Sequence, residues 1–334
     1  METSHARLPN RRAVVAGITA AVLTGDLTGL AHSQGTYPQK PVRVIIPFPA
    51  GGGGDTLARL MLTKVAGGLA QPFVFENVGG AGGNLGSAQV ARADPDGYTL
   101  LYATNGTLAI NQTLYSKRPF DPLKDLAPVS RLSEIPLVLV VRQESSFKSA
   151  ADLLAQAKAR PGQLTFGSAG NGTTSHLAVE LLKAQLGMHM VHIPYRGGAA
   201  SLTGLMGGDL DFMMEITASA MPHVKSGRLR ALAVTTRERL PSLPDIPSLA
   251  ESGVPGFHVT AWDALMARAG TPPSVIATLE KSVQGMLASP ETVSQLAQRG
   301  AIGSPLTGDA FTRFIRAEIE RWGKAVKLSG ATVD

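Results

Sequence analysis

A short apolar run that ends in a set of four glycines constrains the fold of this chain more than any other stretch. Residues Val42–Ile46 are mostly β-branched, which is typical of a strand buried on both faces of a sheet. Two prolines then end the strand, and residues 51–54 can adopt backbone angles closed to other residues. Asp55 follows as the predicted N-cap of a helix over 56–69. The stretch therefore predicts a helix N-terminus at the carboxyl edge of a sheet, where small anions bind.

The same order of strand, glycine loop and helix recurs three times. Loops at residues 79–84, 170–174 and 196–198 each follow a predicted strand and precede a predicted helix. Strands that alternate with helices predict an α/β fold built from parallel βαβ units. A nucleotide site is not indicated, because residues 51–54 lack the Lys and Ser or Thr of a P-loop and no loop has the G-x-G-x-x-G register. The recurrence favours a shared anion cleft over four independent turns.

Two proline-rich stretches divide this pattern. We interpret 120–136 as a crossing between two lobes and 241–255 as a linker that leads back. The predicted lobes are 34–137 together with 258–334, and 138–257, so that the second lobe is inserted in the first. Each lobe is predicted to be a sheet flanked by helices. The last predicted helix, 309–328, begins with Asp309 as a cap and carries aromatic residues at core spacing.

Composition excludes several classes of function. The chain has 334 residues, 44% of them hydrophobic and 17% charged, which is typical of a globular protein with a large core. It has no cysteine, so disulfides, thiolate metal sites and cysteine nucleophiles are excluded. The net charge of +6 comes from scattered residues without interleaved aromatics, and we expect no nucleic-acid partner. The seven histidines follow no metal-binding spacing, and we expect neither metal nor cofactor.

The first 33 residues have the pattern of a signal peptide. Arg7, Arg11 and Arg12 precede an apolar run over 13–30, and Ala31-His32-Ser33 is an acceptable cleavage site. The run is marginal for a membrane span and contains Asp26, which favours cleavage and export over an anchor. The predicted location is the periplasm.

Six blocks of sequence follow one another over about residues 37–334. They read PVRVIIPFPAGGGGD from Pro41, ENVGGAGGN from Glu76, PDGYTL from Pro95, GSAGNGT from Gly167, PYRGGA from Pro194 and LPDIPS from Leu243. The blocks and their order resemble one known family, the solute-binding proteins of tripartite tricarboxylate transporters, also called the Bug or TctC family. The resemblance implies a two-lobed periplasmic-binding-protein fold of type II.

The resemblance also implies a ligand site. Relatives hold ligand carboxylates with backbone and hydroxyl groups of the first glycine loop and of the glycine-serine loop in the second lobe. By position this implicates Phe48, Ala50, Gly54, Asp55, Thr104, Ser168, Asn171, Thr173, Tyr195 and Gly198. We add Glu215, an isolated acid in an apolar strand, as a polar ligand contact; the alternatives are a structural ion pair and a solvated turn acid. The chain departs from the family at Glu215-Ile216 and at Asp263, which leaves the identity of the ligand open.

The second-lobe loop carries a more specific expectation. Thr173 or Thr174 is predicted to cap the following helix, and Ser168 to offer its hydroxyl to a ligand carboxylate. On that basis Ser168→Ala is expected to weaken binding by about 1–2 kcal/mol. Gly172→Val is expected to do worse, because a branched side chain would restrict the turn and crowd the anion.

The leading hypothesis is an exported, monomeric solute-binding protein without enzymatic activity. It would capture a small organic acid between the lobes and deliver it to membrane permease subunits. Di- and tricarboxylates, amino acids and aromatic acids all fit an anion cleft. The alternatives are a hydrolase or transferase that acts on a carboxylate, and a sensor that hands the same ligand to a receptor.

Overall fold

The strand, glycine loop and helix predicted over residues 42–69 are present. The computed structural model describes residues 1–2 and 37–333, so the predicted signal peptide lies almost wholly outside the described residues. Residues Met1–Tyr37 and Pro38–Asp334 are separate units, and the fold described here is that of the second. Its helices and strands, in chain order, are β1 Val42–Ile46, α1 Gly53–Gly67, β2 Phe73–Asn77, α2 Asn84–Ala91, β3 Thr99–Thr104, α3 Asn111–Leu114, β4 Leu126–Arg142, α4 Ala150–Ala159, β5 Thr165–Ser168, α5 Thr174–Leu186, β6 Val191–Pro194, α6 Gly198–Gly207, β7 Phe212–Ile216, α7 Thr217–Lys225, β8 Leu229–Val234, β9 Thr260–Arg268, α8 Pro273–Ala288, α9 Pro290–Gln298, β10 Ile302–Leu306 and α10 Gly308–Ser329.

A mixed sheet of ten strands runs through the unit in the order β2-β1-β3-β9-β4-β7-β5-β6, with β8 and β10 paired to β4. Strand β1 is parallel to β2 and β3, and β5 is parallel to β6 and β7. Between these two parallel groups lie β9 and β4, which are antiparallel to each other. The α/β fold class is therefore confirmed. Each parallel group brings the carboxyl ends of its three strands to one edge.

The long strand β4 corrects the prediction of a proline-punctuated crossing at 120–136. From Leu126 onwards this stretch is a strand, and its register shifts twice against β9 near Pro128 and Ser133. Such irregularities let a strand accommodate a proline, which cannot donate to the ladder. Further on, the same strand pairs with β7 and β8. One element thus belongs to both halves of the sheet, and the lobe boundaries at 138 and 258 stay a prediction.

The C-terminal helix α10 packs its aromatic face into the core, as predicted. Phe311, Ile315 and Trp322 are buried, and the indole N–H groups of Trp262 and Trp322 both donate to Glu318 Oε2 at 2.7 Å. The predicted cap at Asp309 is wrong, because Thr307 is the N-cap and Asp309 lies in the first turn without a capping bond. Within residues 37–333, no helix combines the length and apolarity needed to cross a membrane.

Candidate functional site

Asp55 holds the first glycine loop through one carboxylate oxygen and binds Arg59 and Asn77 through the other. The N-cap of α1 is Gly52, so the prediction of Asp55 as N-cap was wrong. Gly51 N donates to Oδ2 at 2.9 Å, while Arg59 Nε at 2.8 Å and Asn77 Nδ2 at 2.9 Å donate to Oδ1. Burial opposes ionisation, but these hydrogen bonds outweigh it and lower the pKa of Asp55. Asp55 is therefore an anchor of the loop, and its contact with a ligand stays a prediction.

Asn77, at the end of β2, extends this anchor to the turn that precedes the glycines. Its Nδ2 also donates to the carbonyl of Phe48 at 2.9 Å, and its Oδ1 accepts from Arg59 Nη2 at 2.8 Å. The Phe48 ring lies against Gly54, where an added Cβ would come within 3.1 Å of the ring. Ala50 is exposed in the loop. The first-turn N–H groups of α1 have no acceptor within the helix and can bind an anion.

Ser168 ends β5 and is completely buried under the second-lobe loop. Its Oγ accepts from Gly170 N at 3.1 Å, lies 3.1 Å from Gly170 O and is 2.6 Å from His192 Nε2. Burial, with the nearby His176 and Lys183, lowers the pKa of His192 to about 4, so the imidazole is neutral at pH 7. The hydroxyl is already bonded within the protein, which indicates that Ser168 supports the loop. His192 was not predicted as the partner of Ser168, because no local pattern links residues on two different strands.

Replacing Ser168 by alanine is expected to lower the free energy of unfolding by about 1–2 kcal/mol, because a buried amide and an imidazole lose their partner. Ligand affinity is expected to fall by a smaller factor, through displacement of the loop alone. Urea denaturation and calorimetric titration on the same samples measure both effects, with the exposed Ser226→Ala as a control. A tenfold loss of affinity at unchanged stability would instead support the direct ligand contact predicted from sequence.

Thr173 caps helix α5, as predicted. Its Oγ1 accepts from His176 N at 3.4 Å and donates to Gly170 O at 2.7 Å. Asn171 is exposed beside it, whereas Gly172 is buried. Gly172 N donates to His176 Nδ1 at 3.1 Å, so this amide is occupied within the protein. The N–H groups left for a ligand at this end are those of the first residues of α5.

A hydrogen bond joins this loop to the end of β3. The buried Asn105 donates from Nδ2 to Thr174 Oγ1 at 3.1 Å. The backbone N–H of the preceding residue, Thr104, donates to Thr107 Oγ1 at 3.0 Å and is therefore occupied within the turn. An added Cβ on Gly172 would lie 2.8 Å from Leu114 Cδ1 in α3. The strand-end loops of the two parallel groups therefore meet at the start of α5.

The loop after β6 meets the same edge through Tyr195 and Gly198. Tyr195 N donates to Ser168 O at 3.1 Å, and its ring packs against Gly204 of α6. Gly198 is the first residue of α6 and lies against Glu215, whose Oε2 would be 2.8 Å from an added Cβ. Burial raises the pKa of Glu215 to about 7. A carboxyl group thus flanks a helix N-terminus, which has the opposite partial charge.

Asp263 lies on β9 directly opposite Thr104, on the buried side of the site. Burial raises the pKa of Asp263 to about 7. The hydrogen bond that Ser133 Oγ donates to it at 3.0 Å lowers the pKa but does not outweigh burial. Tyr102, fully buried two residues before Thr104, has its pKa raised by burial and by Asp263. Ser133 already donates to the Asp263 carboxylate, so we assign Asp263 and the neighbouring Tyr102 to the support of β3 and β9 rather than to ligand contact.

The Ser168–His192 pair resembles an arrangement used in hydrolytic chemistry. A nucleophile and a neutral base lie within hydrogen-bond reach, as acyl transfer requires. The hydroxyl, however, has no solvent exposure. The His192 ring stacks on His176, with ring centroids 3.7 Å apart. The geometry therefore favours a structural hydrogen bond, and the helix N-termini around it favour binding of an anion.

Comparison with known families and curated proteins gives a consistent match. A model described as the tripartite tricarboxylate transporter family receptor matches residues 57–330. Protein BugT of Bordetella pertussis is 37% identical over 300 residues, which are 90% of this chain and 92% of BugT.

Solved structures extend this similarity to the fold. An R. palustris protein solved with adipate has a TM-score of 0.76 and 34% identity, over 89% of this chain and all of that chain. MatC from Rhodopseudomonas palustris, solved with bound malate, has a TM-score of 0.70 and 32% identity, over 87% of this chain and all of that chain. Both proteins carry a small dicarboxylate.

Proposed function

This chain belongs to the tripartite tricarboxylate transporter receptor family, and on that premise we propose that it binds a small carboxylate where its strand-end loops meet. It is a solute-binding receptor with a periplasmic-binding-protein fold. The observation that carries the proposal is the hydrogen bond from Asn105 to Thr174, which joins the strand-end loops of both parallel groups at one helix N-terminus, where free N–H groups attract an anion. Adipate and malate in related structures support the same class.

We propose that the ligand carboxylate binds the first-turn N–H groups of α1 and α5, on loops held by Asp55 and by Ser168. These N–H groups carry partial positive charge and donate charge-assisted hydrogen bonds to an anion. Of the predicted site residues, Phe48, Ala50, Gly54, Thr104, Asn171 and Thr173 belong to these loops, and Tyr195, Gly198 and Glu215 flank them. Delivery to membrane permease subunits and export through the N-terminal signal peptide complete the proposal.

A thermal-shift panel of small carboxylates on the chain without its leader tests the ligand class. The panel includes adipate, malate, citrate, amino acids and benzoate, with the matching amides as uncharged controls. A ligand at 100 times its dissociation constant should add about 2.7 kcal/mol to the free energy of unfolding. Stabilisation by amides equal to that by the acids would contradict a carboxylate site.

The same samples separate binding from catalysis. Proton NMR of the stabilising acid after prolonged incubation is expected to show unchanged ligand, because Ser168 is enclosed and its hydroxyl is engaged. Appearance of product that Ser168→Ala abolishes would instead support a hydrolase built on the Ser168–His192 pair.

A further inference from the structure

Glu215 has one carboxylate oxygen that the protein leaves unused. The residue is 4% exposed, and its Oε1 accepts from the backbone N of Ile216 at 3.0 Å. Its Oε2 is buried and has no hydrogen-bond partner among the residues that the structure describes. Buried polar atoms are nearly always paired, because an unpaired one costs about 1–3 kcal/mol. In a binding protein, an unpaired acceptor can accept a hydrogen bond from a donor group of the ligand.

The position of this oxygen ties it to the candidate site. Glu215 lies near the carboxyl end of β7, next to β5, which ends in Ser168. Its Oε2 and Cδ would lie 2.8 Å and 3.1 Å from a Cβ at Gly198, so the carboxyl group occupies the space that any other side chain there would fill. Helix α6 has ten residues, and its N-cap Gly197 offers no side-chain cap. The unused acceptor and the free N–H groups of this helix therefore lie side by side.

Glu215 also lacks a positively charged partner among the residues that the structure describes. Buried carboxylates are normally paired with a cation or neutralised. No Lys or Arg forms an ion pair with Glu215 in the part of the chain that the structure describes, although other buried acids such as Asp55 and Glu180 have such partners. Burial without a cation raises the pKa of Glu215 to about 7, and a ligand that brings its own positive charge would favour the ionised form. An α-amino acid does so, since it carries an ammonium group next to the carboxylate that the helix N-termini attract.

We propose that Glu215 is a specificity residue that accepts a hydrogen bond from the ammonium group of an amino-acid ligand through Oε2. The inference rests on the proposed carboxylate site and narrows its ligand to acids that carry an amino group. The ligand carboxylate binds helix N–H groups while its ammonium faces Glu215. An acid without the amino group leaves Oε2 unpaired, as it is in the free protein.

Calorimetric titration with matched acids tests this assignment. The pairs differ only by the amino group: succinate and aspartate, glutarate and glutamate, 3-phenylpropanoate and phenylalanine. In the unmodified protein the amino member of at least one pair should bind about tenfold or more tightly than its partner, the ratio expected for one hydrogen bond between charged groups. In Glu215→Gln the affinities of the two members of that pair should become about equal.

Two further outcomes separate the inference from the proposed function. If plain acids bind as tightly as amino acids, or if the preference persists in Glu215→Gln, the role of Glu215 is overturned and the carboxylate site stands. If none of the six acids nor the wider panel binds, the proposed function fails and the inference fails with it. Glu215→Leu repeats the test with an apolar side chain of similar size that needs no partner, and circular dichroism confirms that each variant is folded.

Discussion

Replacing Asp55 by asparagine is expected to destabilise the protein by about 2–4 kcal/mol. Every group that contacts this carboxylate is a donor, namely Gly51 N, Arg59 Nε and Asn77 Nδ2. An asparagine would turn its own NH2 group towards at least one of them and would leave Arg59 without its counter-charge. We expect carboxylate affinity to fall about tenfold or more as well, because the glycine loop loses its anchor.

Urea denaturation and calorimetric titration measure the two effects, and Asp309→Asn is the matched control. Asp309 also lies in the first turn of a helix but is exposed and makes no capping bond. Its replacement should change stability by less than about 0.5 kcal/mol. Equal stability of Asp55→Asn and the unmodified protein would show that the loop does not depend on this anchor.

The effect of Asp55 should also depend on pH. Its folded-state pKa is lowered, so the carboxylate contributes stability above the ordinary aspartate pKa and loses it as pH falls through the folded-state value. The difference in stability between Asp55→Asn and the unmodified protein should therefore be full at neutral pH and shrink in acid. A difference that stays constant into strong acid would argue against an ionised Asp55.

Replacing Gly172 by valine is expected to cost more than about 3 kcal/mol, for two separable reasons. Its φ of +73° lies in the left-handed region, which a β-branched side chain adopts only under strain. The new Cβ would also lie 2.8 Å from Leu114 Cδ1, in a buried position. The expected clash is thus with α3, whereas the sequence had suggested crowding of the bound anion.

Gly162→Val measures the cost of the backbone strain without the clash. Gly162 has a φ of +76°, but nothing lies within 4 Å of its added Cβ, so this variant has the strain without the clash. Chemical denaturation should give Gly172→Val a clearly lower free energy of unfolding than Gly162→Val. Adding Leu114→Ala to Gly172→Val should recover part of that difference. Equal losses at both glycines would mean that the loop moves away from Leu114 without cost.

Local sequence predicted the elements of this fold where the signal is contained in neighbouring residues. The β-branched run of β1, the glycines before α1 and the cap of α5 at Thr173 are all present. Each depends on contacts within a few residues, which the order of residue types specifies. The exact start of α1 was missed, because Asp55 binds the loop from inside the first turn instead of capping it.

Elements whose stability comes from distant partners were not predicted. Strand β4 continues through two prolines because β9, β7 and β8 pair with it along its length. Strand β10 was missed for the same reason, since it forms by pairing with β4. Helix α7, which contains Pro222, also has no clear local signal. Tertiary pairing overrides weak local preference in each case.

For the candidate site, the sequence by itself determined which residue types stand at the ends of the strands, and resemblance to a family assigned them to a ligand. Only the tertiary structure decided what each side chain contacts. Ser168 meets His192, Asp55 meets Asn77, and Glu215 meets Gly198 while one of its oxygens stays unpaired. These pairs are 17 to 24 residues apart in the chain, and no periodicity of one segment encodes them. Hydrogen bonding and burial are properties of the packed neighbourhood, so they arise only when the strands bring those segments to one edge of the sheet.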